Sequence, residues 1–241
     1  MNTPAPDGGA RLDPARVRAI TIDLDDTLWP IWPTIARAEA VLSAWLAERA
    51  PATAAQWGNP ALLREVRNQM QAERPDLAHD LSALRRESIR RVLERSGDDP
   101  ALAEPAFEVF FAERQRVDLF EDALPALEWL ASRYPVVALS NGNADLRRVG
   151  LASHFKGALS AREFGVGKPD ARIFHAAARA AGVASADVLH VGDDAHLDVL
   201  GALGADMQVA WVNREGHAWT HAPLQPHTTV ADLMALCRQL G

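Results

Sequence analysis

Arg18-Ala-Ile-Thr-Ile-Asp-Leu-Asp-Asp-Thr27 is the stretch on which the fold turns. Residues 18–24 are mostly apolar and rich in β-branched side chains, the pattern of a strand buried on both faces. The run breaks at Asp23, Asp25 and Asp26, so carboxylates collect at the strand's carboxyl end.

Downstream, the character changes. Residues 30–117 are rich in Ala, Leu, Arg and Glu, with no strand pattern. Ile35, Ala38, Val41, Leu42, Trp45 and Leu46 fall at helical spacing. Asn59-Pro60 and Asp99-Pro100 read as N-caps followed by proline in the first turn. Pro105 is expected to mark the start of the next helix. From 118 onward, apolar runs at 135–140, 157–160, 188–191 and 208–212 alternate with helical stretches. That alternation implies βα units. The expected fold is α/β, a Rossmann-like parallel sheet with helices on both faces and an all-helical insert after the first strand. The expected boundaries are a loose tail at 1–14, a core at 15–29 and 118–241, and the insert at 30–117.

Composition narrows the function classes. The chain has 241 residues, and 25 basic against 32 acidic side chains leave a net charge of −7. That balance argues against a general nucleic-acid partner. No apolar run approaches the roughly 20 residues that span a bilayer, so no membrane partner is expected. Cys237 is the single cysteine, which excludes an intramolecular disulfide. Pro, Gly and Ala dominate the N-terminus without an apolar signal core, so a cytoplasmic location is expected.

In open parallel sheets, ligands sit beyond the carboxyl ends of the strands. Asp23-x-Asp25-x-Thr27 closes the first apolar run, Ser140-Asn141-Gly142 the second, and Gly192-Asp193-Asp194 a later one, with Asp198 five residues after Asp193. Lys168 precedes a helix start marked by Pro169. Five crowded carboxylates repel one another, and a divalent cation would relieve that repulsion; Mg²⁺ prefers such oxygen ligands. A carboxylate can attack phosphorus, and a second carboxyl two residues on can protonate the leaving oxygen. A D-x-D-x-T match alone arises by chance in roughly 5% of chains this long. Four motifs in order, each at a strand end or helix start, are far less easily accidental.

Together these segments resemble the four motifs of the haloacid dehalogenase-like superfamily, with the helical insert similar to its subfamily I cap. The resemblance implies a nucleophile and Mg²⁺ ligand at Asp23, and a general acid/base at Asp25 whose carbonyl also meets the metal. It implies loop support from Thr27, phosphoryl binding by Ser140 and Asn141, neutralisation by Lys168, and a third metal ligand at Asp193. Asp194 and Asp198 would lie behind these. The 2-haloacid dehalogenases of the superfamily lack the second aspartate of the first motif, so Asp25 favours a phosphate ester. The implied activity is hydrolysis of small phosphomonoesters. A dehalogenase, a phosphosugar mutase and a non-catalytic binding protein remain alternatives. His79-Asp80, Arg85-Arg86, Ser88-Ile89, Ser140–Ala144 and Leu189–Asp194 further resemble bacterial phosphatases acting on flavin mononucleotide or 5-amino-6-(5-phospho-D-ribitylamino)uracil in riboflavin metabolism. Oligomeric state is left open.

Weaker signals remain. Trp29 and Trp32 leave the first motif and are candidates for stacking on an aromatic substrate. Arg85, Arg86, Arg90 and Arg91 read as an exposed helical face rather than a phosphate contact. His217 and His221 lie among glycine and prolines that deny them a helix from which to share a metal.

Overall fold

The structure is a computed structural model, and it describes residues 11–241. It divides into two units, 1–29 with 119–141 and 152–241, and 30–118 with 142–151.

In the first unit, six strands form one parallel sheet: β1 (Ala19–Ile22), β2 (Val136–Ser140), β3 (Gly157–Ser160), β4 (Val188–Gly192), β5 (Gln208–Val212) and β6 (Thr228–Val230). Their order is β3-β2-β1-β4-β5-β6. β1, β2, β4 and β5 are buried at every position, as their unbroken apolar runs require. Ile20 pairs with Val136 on one side and Leu189 on the other, so β1 and β4 sit where the strand order reverses. That switch point opens a crevice at the strands' carboxyl ends. The segment bearing Asp23 leaves β1 there, and Asp193 follows β4.

The sheet is thus the expected Rossmann-like α/β core, with β6 as an addition. Thr228-Thr-Val230 is too short, and too closely preceded by Pro226, to be read as a strand from sequence. It pairs with Ala210–Val212 at the sheet's edge. The N-terminal segment also departs from expectation. Residues 1–10 of the expected loose tail lie outside the described residues, but residues 11–14 are tied down. Leu12 N–H donates to the His227 carbonyl at 3.0 Å, and Asp13 exchanges hydrogen bonds with the Gln208 amide.

The second unit is all helical: α1 (Ile31–Arg49), α2 (Pro51–Trp57), α3 (Pro60–Glu73), α4 (Leu81–Ser96), α5 (Ala103–Arg114) and the single turn α7 (Leu146–Val149). Local chemistry sets the ends. Asn59 and Asp99 accept from the N–H groups of Ala61 and Ala101 at 2.9 Å each, and Asp80 caps α4 through Ser82 and Ala83. Gly97 closes α4 at φ +80°, where a Cβ would be strained. Helix α5 begins two residues before Pro105. Proline is tolerated there because first-turn N–H groups have no intrahelical acceptor. Leu42, Leu46, Ile89, Val92, Phe107 and Phe110 form the centre of this unit's own core. Residues 142–151 belong with these helices, whereas the sequence reading ran the core unbroken from 118 to 241.

Back in the first unit, α6 (Ala123–Ala131) packs with α11 (Leu233–Leu240), α8 (Ala161–Phe164) follows β3, and α9 (Ala171–Ala181) crosses β1, β2 and β3. After β4 comes a wide, π-type turn, Ala195–Leu200, running into α10 (Gly201–Leu203). Such bulged turns frequently mark functional sites. Among the described residues, no helix is long and apolar enough to cross a membrane.

Candidate active site

At the crevice between β1 and β4, Lys168 lies almost fully buried between two carboxylates. Its Nζ donates to Asp23 Oδ1 and, at 2.5 Å, to Asp198 Oδ1. Burial penalises the ammonium, but Asp198 and Asp23 more than offset it, so Lys168 is held above its usual range. Asp198 is held well below the carboxylate range, because Lys168 and His190 outweigh the cost of its burial. Asp23 is pushed up, first by burial and then by the charges of Asp198 and Asp193, against the pull of Lys168.

A buried chain stands behind this pair. Thr21 Oγ1 lies 2.9 Å from His190 Nδ1, and His190 Nε2 lies 3.0 Å from Asp198 Oδ1. Ionised Asp198 can only accept, so Nε2 carries the proton and Thr21 donates to Nδ1. Burial holds His190 neutral, with its pKa lowered. Gly192 makes room for this arrangement. A Cβ there would fall 2.3 Å from Asp198 Cγ.

Asp193 lies beside the pair. Thr27 Oγ1 donates to its Oδ1 at 3.0 Å, and the Trp211 indole holds its backbone carbonyl at 2.7 Å. Burial and the Asp198 charge push Asp193 up to about 7. Carboxylate oxygens of Asp23, Asp193 and Asp198 all lie within 4.8 Å of one another. Three hard donors at this spacing, two of them with pKa values raised, fit a divalent cation, which would restore both to their charged forms. Lys168 and His190 already occupy Asp198, so Asp23 and Asp193 are the fitting ligands, with Asp198 behind them.

Several predicted residues sit elsewhere than their assigned tasks suggest. Trp29 is fully buried, and its indole donates to Asp25 Oδ1 at 2.8 Å. It is not available to stack on a substrate; it orients Asp25 instead. Trp32, by contrast, is largely exposed. Thr27, expected to support the loop, is fully buried and donates to Asp193. Asp194 is exposed and caps the turn after β4 through the N–H groups of His196 and Leu197. Ser140 is buried at the end of β2. The Asn141 side chain bonds the Lys168 backbone twice, accepting from its N–H at 2.7 Å and donating to its carbonyl at 2.8 Å. Asn141 therefore sets the Lys168 loop.

Sequence reasoning missed Thr21, His190, Trp211 and Arg214. Arg214 forks onto Asp122 at 2.9 and 3.0 Å and donates to the Thr27 carbonyl at 2.9 Å. Only the alternation of polar residues within apolar strands, Thr21 in β1 and His190 in β4, could have signalled the first two.

Comparison with known proteins agrees with this geometry. Over 236 residues, covering 92% of this chain and 95% of the relative, the sequence is 32% identical to the 5-amino-6-(5-phospho-D-ribitylamino)uracil phosphatase YigB of Escherichia coli (strain K12). It is 40% identical over 132 residues, about half of each chain, to a phosphoserine phosphatase of Thermus thermophilus. Among solved structures, a 2-haloacid dehalogenase from Pseudomonas syringae pv. Tomato DC3000 superposes with a TM-score of 0.86 at 40% identity, covering 93% of this chain and 97% of that one. Residues 17–206 match the family described as haloacid dehalogenase-like hydrolase. The sheet order, the carboxylates at its switch point and this match establish that the chain belongs to the haloacid dehalogenase-like hydrolases.

Proposed function

We propose that this hydrolase is a Mg²⁺-dependent phosphomonoesterase working through an aspartyl-phosphate at Asp23. The observation that carries the reading is Asp25, two residues past the Lys168-bound Asp23 and held in place by the Trp29 indole. Halide departs from carbon without a proton, whereas an alkoxide leaving phosphorus needs one. A positioned second carboxyl therefore has a task in phosphate ester hydrolysis and none in dehalogenation.

Asp23 attacks phosphorus, the phosphorus–oxygen bond to the leaving group breaks, and Asp25 gives that oxygen its proton. Asp25 then takes a proton from water, whose oxygen attacks phosphorus and releases Asp23 as a carboxylate. Lys168 donates to Asp23, favouring its ionised form against burial, and neutralises charge on the transferring group. Ser140 and the backbone at Asn141 hold the phosphoryl oxygens. Asp23, Asp193 and the Asp25 carbonyl would hold Mg²⁺, which supplies further neutralisation of the phosphoryl oxygens.

The likeness to YigB along nearly the whole chain supports a small phosphorylated metabolite as substrate, with 5-amino-6-(5-phospho-D-ribitylamino)uracil and flavin mononucleotide first in rank. A location in the cytoplasm, where such substrates are made, fits the lone buried thiol of Cys237.

The test is phosphate release from both compounds, phosphoserine, sugar phosphates and nucleotides, with Mg²⁺ and with chelator, beside Asp23→Asn. Halide release from 2-chloropropionate is measured in parallel. Phosphate release needing Mg²⁺ and Asp23 is expected. Halide release without phosphate release would assign the dehalogenase reading instead.

A further inference from the structure

We propose that Arg214 is a positioning residue of this hydrolase: from the loop after β5 it holds the turn bearing Asp25 and Thr27 in register with Asp193. The role rests on the phosphatase reading for its kinetic consequence alone.

The turn over residues 24–29 is tight. Asp26 takes a left-handed φ of +60°, its N–H donates to the Trp29 carbonyl at 2.7 Å, and the Leu28 N–H donates to the Leu24 carbonyl at 2.8 Å. These bonds fix the turn's shape but not where it stands against β4. Two of its carbonyls are held from outside. Phe120 N–H donates to the Leu28 carbonyl at 3.0 Å, and Arg214 Nη2 donates to the Thr27 carbonyl at 2.9 Å. Thr27 is fully buried, so its carbonyl, once deprived of that donor, must go unpaired or move.

Arg214 is itself held in place. Its Nη1 and Nη2 fork onto the two oxygens of Asp122 at 2.9 and 3.0 Å, and its guanidinium lies 3.9 Å from the Phe120 ring centroid. Asp122 stands at the start of α6, where an aspartate ordinarily caps its own helix. It makes no such cap. Its carboxylate instead takes the Arg214 fork and, at 2.7 Å, the N–H of Leu233 in α11. Burial opposes its charge, yet Arg214 and the Leu233 N–H hold Asp122 below its usual range.

These contacts close a ring. Thr27 Oγ1 donates to Asp193 Oδ1 at 3.0 Å, and the Asp193 carbonyl accepts from the Trp211 indole at 2.7 Å. Trp211 lies on β5, and the chain runs on from it to Arg214, which returns to Thr27. One end of β5 therefore grips both the backbone that follows β1 and the backbone that follows β4. A guanidinium suits this place because it meets a carboxylate and a carbonyl at once in fixed directions, whereas a lysine offers a point charge. The Trp29 indole moves with the same turn as Asp25, so it cannot replace this anchor. Phe120 remains as the other one, so losing Arg214 loosens the turn without freeing it.

The test compares full-length Arg214→Met, Arg214→Lys and Arg238→Met with wild type; Arg238 is an exposed arginine of α11. Hydrogen exchange is followed by mass spectrometry, and kcat and KM are measured on the best phosphate ester with Mg²⁺. In Arg214→Met, exchange over residues 24–29 is expected to quicken about tenfold or more, as the loss of one charge-assisted bond implies, while β4 keeps its protection. Its kcat is expected to fall about 10–100-fold with KM nearly unchanged. Arg214→Lys is expected to recover part of both, and Arg238→Met to match wild type. In a Thr27→Val background, Arg214→Met is expected to cost less than it does alone, because both changes act on one contact. Unchanged exchange over 24–29, exchange that quickens equally in β4, or an unchanged kcat overturns the role, as does full additivity with Thr27→Val. If wild type turns over no ester, the phosphatase reading fails, and the exchange pattern still decides Arg214. If Arg214→Met does not fold, Asp122→Asn, which loosens the fork and keeps an acceptor for Leu233, is read by the same criteria.

Discussion

Asp193→Asn should stabilise this protein when metal is withheld and destabilise it relative to wild type when metal is supplied. Burial and the Asp198 charge hold the Asp193 carboxyl at about 7, against an ordinary value of 3.8. Between those values, the folded chain binds a proton that the unfolded chain has released. The stability linked to this group is therefore full below pH 4 and is lost as pH rises through 7. Roughly three pH units at about 1.4 kcal/mol each amount to a cost of about 4 kcal/mol at pH 8. Asparagine has nearly the same shape and never ionises. Its Oδ1 can still accept from Thr27, so little is lost in exchange. It also removes a charge that pushes Asp23 up. In urea unfolding with chelator, wild type should lose about 3 kcal/mol from this group between pH 5 and pH 8, and Asp193→Asn should not. Added Mg²⁺ should raise the wild-type midpoint at pH 8 and leave the variant's nearly unmoved. An Asp193→Asn variant no more stable than wild type at pH 8 in chelator would refute the electrostatic account of this cluster.

Three further outcomes are expected. Trp29→Phe removes the indole that holds Asp25 and should lower kcat on the best phosphate ester by about 10–100-fold, with KM nearly unchanged in steady-state assays. His190→Leu strips a donor from buried Asp198 and should cost about 1–3 kcal/mol in urea unfolding, whereas His190→Gln, which can present an amide N–H there, should recover most of it. Gly192→Ala drives a methyl into Asp198 and should cost about 1–3 kcal/mol, with a loss of activity that added Mg²⁺ does not restore.

Which of these features could be read in advance depends on how local their cause is. The run at 18–24 and its carboxylate stop needed only strand burial and solubility. The caps at Asn59 and Asp99 needed only the neighbouring peptide N–H groups. Trp29 was misjudged because exposure is a property of the packed chain: at the motif's edge a tryptophan looks ready to stack, yet its ring is enclosed. The partner of Thr27 was hidden for a like reason, since Asp193 lies 166 residues away in sequence. β6 escaped because Thr228–Val230 is three residues long and gains its identity only from β5 beside it.

By itself, the sequence determined the α/β alternation, the helical insert and the residue types of the site. Apolar periodicity and local hydrogen-bond chemistry act over a few residues and leave their mark in order. Only the tertiary structure decided which groups share a charge environment. Coulomb interaction and desolvation depend on distance and burial, not on separation along the chain. Asp23, Lys168, Asp193 and Asp198 become one electrostatic unit because β1 and β4 lie side by side at the switch point. Arg85, placed by the sequence reading on an exposed face, and Glu39 become a buried ion pair only because helices distant in sequence pack together.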